Sequence, residues 1–165
     1  MTQIRLICLM VVLFSSVLMG TTKSPNFSLD IFESKARFEL YQAIEKGPVL
    51  INFWATWCGP CIIEMKAFKA IKKEFEPQGL QIVSISIDQA GKAAQIKSIL
   101  HRYQFKYLIA LDPQKRVLSQ FNPSQIVPFS MIIDTEGQIV YQKNGYSPGD
   151  EAIISDTLKK ILAVK

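Results

Sequence analysis

A chain of 165 residues, 48% of them hydrophobic, with no repeat and no low-complexity tract, has room for one domain with a sizeable single core. Its net charge of +5 is mild, and the lysines are dispersed along the expected helices rather than clustered with aromatics, which argues against a nucleic-acid partner. Of the three cysteines, Cys8 lies inside an N-terminal apolar segment, and the remaining two with the one histidine are too few for a structural zinc site, which takes about four N or S ligands.

Met1 to Arg5 carries one basic side chain, Leu6 to Met19 is apolar apart from Ser15 and Ser16, and Thr21-Thr22-Lys23-Ser24-Pro25 breaks the pattern. This is the layout of a signal-peptide n-region and h-region. The apolar run is shorter than the ~20 residues of a comfortable membrane span, which favours cleavage. Leu18 sits two positions before the small Gly20, however, so the cleavage region is poor, and a membrane tether through residues 4–19 is the alternative. The expected division is residues 1–24 as signal peptide or N-terminal membrane anchor and residues 25–165 as the folded domain. Such a domain is exported, most simply to a periplasm, where disulfides form and need managing, and the tether would hold it at the inner membrane. Cys8 falls too early for a lipoprotein cysteine and receives no role in the mature domain.

Asn26 to Ile31 alternates apolar and polar residues and predicts an edge strand. Phe38 to Glu45 predicts a short helix, closed by the turn Lys46-Gly47-Pro48. Val49 to Trp54 is apolar on both faces, as in a central strand covered on both sides.

That strand runs into Trp57-Cys58-Gly59-Pro60-Cys61, where a helix begins that must end before Pro77. Two thiols separated by two residues can close a small disulfide. The first, at the helix N-terminus, lies where unpaired N–H groups and the helix dipole favour thiolate over thiol. A thiolate there can attack a substrate disulfide and form a mixed disulfide. A c-type haem site would need histidine after the second cysteine, where Ile62 stands. At ~100° per residue, Cys61, Met65, Phe68, Ile71 and Phe75 fall on one arc of this helix, and Glu64 falls within it. A carboxylate on a core face one turn from a thiol has its pKa raised by burial and can exchange protons with Cys61. The plainer alternative is a glutamate at the edge of the arc that reaches to water.

Leu80 to Ile87 predicts a second inner strand ending at Asp88. Ile96, Ile99, Leu100 and Tyr103 make Gly91 to Gln104 an amphipathic helix, with His101 on its outer face and without a role. Tyr107 to Leu111 predicts a short strand, and Asp112-Pro113 opens a helix to about Phe121. Phe129 to Asp134 and Gln138 to Gln142 form a hairpin around Thr135-Glu136-Gly137. Ser147-Pro148-Gly149-Asp150, with Ser147 as N-cap, opens a last helix that turns Ile154, Leu158, Ile161 and Leu162 inward. Strands alternating with helices, then a hairpin and a helix, indicate an α/β protein, a layered sheet with helices on both faces.

Phe53-Trp54-Ala55-Thr56-Trp57-Cys58-Gly59-Pro60-Cys61 resembles the active-site signature of the thioredoxin superfamily. Asn52 before it and Glu64 after it resemble the extracytoplasmic TlpA/ResA-like branch of thiol–disulfide oxidoreductases. Ile126-Val127-Pro128-Phe129 resembles the segment carrying that family's cis-proline, and Met131 to Ile139 the hairpin that follows. The resemblance runs from about Phe27 to the C-terminus and implies a thioredoxin-like fold, a central mixed sheet with helices on both faces. Residues from Asp88 to Gln125 would be the branch's helix-and-strand insertion. It implies a cis Pro128 holding the backbone of Val127 close to the sulfurs, with protein disulfides as substrates. It also implies a membrane or periplasmic dithiol donor, and settings such as cytochrome c maturation or periplasmic thiol homeostasis. No cofactor and no metal are called for, and a monomer is expected.

Cys58, first at the helix N-terminus, is the expected attacking thiol, and Cys61, one turn inside, the resolving one. Trp57, Val127 and Pro128 are the expected substrate surface, and Trp54 and Trp57 are expected to pack around the site. Asn52 stands where cytoplasmic thioredoxins have a buried aspartate, leaving Glu64 as the candidate proton carrier, and Lys66 stands where a helix-kinking proline is usual. The Gly-Pro pair between the cysteines resembles reducing members. Two rivals share the fold. A peroxiredoxin-like thiol peroxidase would need Pro-x-x-x-Thr/Ser-x-x-Cys, but Ile51 and Ala55 occupy the Pro and Thr/Ser positions. A non-catalytic redox-fold binding module would not need both thiols.

Overall fold

The computed structural model describes residues 23–163, so the segment read as a signal peptide or anchor lies outside the described residues except for Lys23 and Ser24. Seven strands form one mixed sheet: β1 (Ser28–Ile31), β2 (Arg37–Glu39), β3 (Val49–Trp54), β4 (Gln81–Ser86), β5 (Leu108–Leu111), β6 (Phe129–Ile133) and β7 (Ile139–Asn144). Their order is β2-β1-β5-β4-β3-β6-β7. Five helices complete the fold: α1 (Leu40–Ile44), α2 (Gly59–Phe75), α3 (Ala93–Tyr103), α4 (Arg116–Phe121) and α5 (Asp150–Leu162). This is the α/β architecture expected from the sequence.

All six residues of β3 are buried, which is why its sequence reads as a continuous apolar run instead of an alternation. β4 runs parallel to β3 with Trp54 opposite Ser86, and β6 runs antiparallel with Phe53 opposite Phe129. The C-terminal ends of β3 and β4 and the N-terminal end of β6 therefore meet at one edge of the sheet. The Cys58 loop, Asp88 and Pro128 all lie just beyond those ends. Gly47, in the turn before β3, leaves no room for a side chain: a Cβ there would lie 2.1 Å from the Gly79 carbonyl oxygen.

Three local expectations are corrected. The segment Phe38 to Glu45 is split between strand β2 and helix α1, because Phe38 pairs with Leu29 and packs its ring 5.8 Å from Phe27. β1 is consequently not the edge, since β2 covers it on one side and β5 on the other. α5 begins at Asp150 rather than after a Ser147 cap. The acid three residues past Ser147 does act as expected of it, since the Asp150 carboxyl accepts the Ser147 N–H at 2.7 Å, and it also pairs with Lys143 on β7.

Candidate active site

Cys58 is the N-cap of α2, with extended backbone (φ −90°, ψ 97°), and its Sγ accepts the Cys61 N–H at 3.2 Å. Pro60 lies in the first helical turn, where its missing N–H costs nothing. The two sulfurs are bonded, with the Cα atoms 5.3 Å apart. Cys58 is 5% exposed and Cys61 fully buried, so the outer and inner members fall in the expected order although both are sheltered. When the bridge opens, the N–H already aimed at Cys58 Sγ and the free donors of the first turn act on this sulfur, which favours its thiolate.

The approach to the cysteines is fixed by a side chain that sequence reasoning treated only as the end of a strand. Asp88 is buried, and its carboxyl accepts the Thr56 N–H at 2.9 Å, the Thr56 hydroxyl at 2.7 Å and the Ser86 hydroxyl at 2.9 Å. Thr56 is two residues before Cys58, so Asp88 ties the loop to the end of β4. Asp88→Ala strands the Thr56 N–H and lets the loop move. It should cost about 2 kcal/mol in denaturant unfolding and slow alkylation of reduced Cys58, with a smaller loss for Asp88→Asn.

Glu64 is 3% exposed, on the inner face of α2 as its place in the apolar arc suggested. It sits three residues after Cys61, which brings the two side chains to neighbouring positions about 5–6 Å apart at Cβ. The Ser130 hydroxyl donates to Glu64 Oε1 at 2.8 Å, while Oε2 has no hydrogen-bond partner among the described residues. Burial pushes the Glu64 pKa up to about 8. The Ser130 hydrogen bond opposes that rise, the charge of Asp150 adds to it, and Lys143 offsets part of it.

Ser130 belongs to a row of polar residues running across the sheet in register. Ser84 on β4 faces Asn52 on β3, Asn52 faces Ser130 on β6, and Ser130 faces Lys143 on β7. The Ser84 hydroxyl donates to Asn52 Oδ1 at 2.6 Å, and Lys143 Nζ donates to Asp150 Oδ1 at 2.5 Å. Lys143 and Asp150 hold opposite charges at the solvent end of the row, and Glu64 lies over its middle. Burial alone would raise the Asp150 pKa, but the Lys143 and Ser147 hydrogen bonds and the Lys143 charge bring it below its ordinary value. Sequence reasoning missed Ser130, Lys143 and the pairing role of Asp150. Each is a single polar residue in its own segment, and only strand register aligns them.

The Val127–Pro128 peptide is cis. Pro128 leads directly into β6, at the sheet end that carries the cysteines, and its carbonyl accepts the Gly145 N–H at 2.7 Å. Trp54 is fully buried, but Trp57 is 70% exposed, so only the first packs into the core as expected. Ile126 is 58% exposed and Val127 is half-buried, which leaves apolar surface just before β6. No helix among the described residues is long and apolar enough to cross a membrane, and none of their acidic, histidine or cysteine side chains gather into a metal-binding group.

The sequence profile of the AhpC/TSA family matches residues 21–142. The chain belongs to the AhpC/TSA family. It is similar to the thiol-disulfide oxidoreductase ResA of Bacillus subtilis (strain 168), with 31% identity over 138 residues, covering 84% of this chain and 73% of that protein. A thioredoxin-like protein from Porphyromonas gingivalis superposes with a TM-score of 0.68 and 27% identity, over 84% of this chain and 91% of that one. The peroxidoxin BcpB of Mycobacterium tuberculosis shares the fold at a TM-score of 0.70 and 24% identity, over 86% and 96%. The thioredoxin-like, ResA-like resemblance read from the motifs is borne out. This AhpC/TSA member, with its bonded Cys-x-x-Cys pair, is a thiol–disulfide oxidoreductase.

Proposed function

We propose that the protein is an extracytoplasmic reductase of protein disulfides. In this reading Cys58 is the attacking sulfur, Cys61 the resolving sulfur, and Glu64 the group that takes the Cys61 proton. The observation that carries it is the bonded pair at the N-terminus of α2, whose inner sulfur stands one helical turn from a buried carboxyl. The Cys58 thiolate attacks one sulfur of the substrate disulfide, and the other substrate sulfur leaves and is protonated by solvent. Cys61 then gives its proton to the Glu64 carboxylate and attacks Cys58 Sγ, which re-forms the bridge and releases the second substrate sulfur as a thiolate that takes a proton from solvent. The dithiol is oxidised by two electrons and the substrate disulfide gains them. A Glu64 pKa of about 8 lies near the ~8.5 of an ordinary thiol, so the transfer between them is close to balanced in free energy.

Trp57, Val127 and Pro128 form the substrate surface, with the edge before β6 available for an extended substrate chain. Residues 1–24 act as a signal peptide or membrane anchor, a monomer works in the periplasm, and a membrane or periplasmic dithiol recharges it. Cytochrome c maturation and general periplasmic thiol homeostasis are the settings that fit such a reductase. Equilibration of the Cys58–Cys61 pair with dithiothreitol or glutathione tests the direction of electron flow. A potential below about −200 mV is expected, and a value near the −120 mV or so of strong periplasmic oxidants would make the protein an oxidase instead.

Thiol peroxidase activity is the second reading, favoured by the fold shared with peroxidoxin BcpB. Ile51 and Ala55 stand where a peroxidatic cysteine would need Pro and Thr or Ser. Peroxide consumption by the reduced protein, with no disulfide substrate present, would establish it.

A further inference from the structure

Thr56 and Trp57, just before Cys58 in the chain, form one wall of an open groove whose other wall is α3 with its N-cap Lys92, presenting Gln95, Ser98, Ile99 and Arg102. Lys92, Gln95, Ile99 and Arg102 are spaced i, i+3, i+7, i+10, so they form one stripe along three turns of the helix. Ten residues at 1.5 Å each make that stripe roughly 15 Å long, the reach of four or five residues of extended chain at about 3.3 Å each. Neither Lys92 nor Arg102 enters an ion pair among the described residues, whereas Lys97 on the same helix is paired with Glu33. Among the described residues, no acidic side chain lines the groove. Asp88, which holds the groove residue Thr56, is itself buried, with both carboxyl oxygens occupied by hydrogen bonds. Trp57, immediately before Cys58, is 70% exposed, an unusual cost for so large an apolar ring unless another surface covers it.

We infer that this groove docks an acidic polypeptide segment flanking the cysteine of a substrate protein. The segment's carboxylates face Lys92 and Arg102, and an apolar side chain covers Trp57. Gln95 and Ser98 offer hydrogen bonds to its backbone, which suits an extended chain without demanding one sequence. The two cations are solvent-exposed, so they act mainly on encounter and register rather than on tight binding. The chain's net charge of +5 steers acidic partners in the same sense. The inference rests on the proposal that Cys58 attacks, because it places the docked segment next to that sulfur.

The test compares kcat/KM for three disulfide-linked peptide dimers that differ only in flanks of Glu, Gln or Lys, at low and at physiological ionic strength. Reduction of bis(2-hydroxyethyl) disulfide, which has no flanks, is run alongside. The acidic peptide should be favoured over the neutral one by about 3- to 10-fold at low salt, with the preference shrinking as salt rises. In the double variant Lys92→Glu, Arg102→Glu the acidic-to-neutral ratio should fall below one, and the ratio cancels any change in dithiol reactivity. Equal rates for the acidic and neutral peptides, or a ratio unmoved in the double variant, would overturn the inference. So would competitive inhibition by a DNA duplex with no preference among the peptides, which would give the groove to nucleic acid. Failure to reduce bis(2-hydroxyethyl) disulfide at all would instead refute the assignment of Cys58.

Discussion

Cys58→Ser is expected to remove disulfide reduction, a loss on the order of 10⁴-fold or more, because the variant has no sulfur at the helix N-terminus to attack with. Cys61→Ser is expected to behave differently. Its Cys58 still attacks, but no second sulfur can release the product, so mixed disulfides with substrates accumulate and turnover stops. Fold is not at issue in either case, since the pair closes a loop of only a few residues and constrains the unfolded chain less than a long one would. Turnover assays with non-reducing gels check both outcomes. A Cys58→Ser protein that kept full reductase activity would move the chemistry elsewhere. Retained partner binding without any turnover in the wild type would support the binding-module alternative.

Glu64 should impose a pH dependence on stability that is large and of definite sign. Its pKa is about 8 in the folded protein and near 4.5 when exposed. Between those values the folded state holds a proton that the unfolded state has lost, so the contribution is fully present below about pH 4.5. It is lost as pH rises through 8. The slope is roughly 1.4 kcal/mol per pH unit, and the total over this window is on the order of 3–5 kcal/mol. Urea unfolding of the oxidised protein, in which neither cysteine titrates, reads this directly. Glu64→Gln keeps the shape without the charge and should flatten the difference between pH 5 and pH 8. The same variant should slow release of a Cys58 mixed disulfide at about pH 8 and above, where wild-type Glu64 is ionised and can take the Cys61 proton. A Gln variant with the wild-type pH profile would mean that Glu64 does not carry the charge that burial penalises.

The neighbours of Glu64 explain why its charge state can be adjusted at all. Ser130 is its hydrogen-bond donor, Lys143 and Asp150 oppose each other at the outer end of the polar row, and the Tyr141 hydroxyl is held in its neutral form, its pKa raised to about 12 by burial and by the charges of Asp150 and Glu64. Asn52, which cannot ionise, occupies the centre of the row, and Glu64 over it, with its pKa raised to about 8, can take up or lose a proton near neutral pH. This arrangement gives one buried proton site next to one buried sulfur.

The sequence alone determined the elements whose signals are local. The apolar run of β3, the arc of Cys61, Met65, Phe68, Ile71 and Phe75, and the Cys-Gly-Pro-Cys junction between them are set by periodicity and by residue chemistry within a few turns. These sufficed to place the sulfur pair at a helix N-terminus and to put Glu64 on the buried face. What needed the tertiary structure depends on register and on chain ends meeting across the sheet. The three residues of β2 are too few to register as a strand until Phe38 is seen against Leu29. Ser84, Asn52, Ser130 and Lys143 are scattered over four strands, and a shift of one residue in any pairing would turn its member of the row to the opposite face. Asp88 and Asp150 looked like ordinary boundary residues because carboxyl groups commonly end strands and begin helices. Only the fold brought Thr56 to one and Lys143 to the other, because hydrogen bonds between residues distant in the chain leave no periodic trace in it.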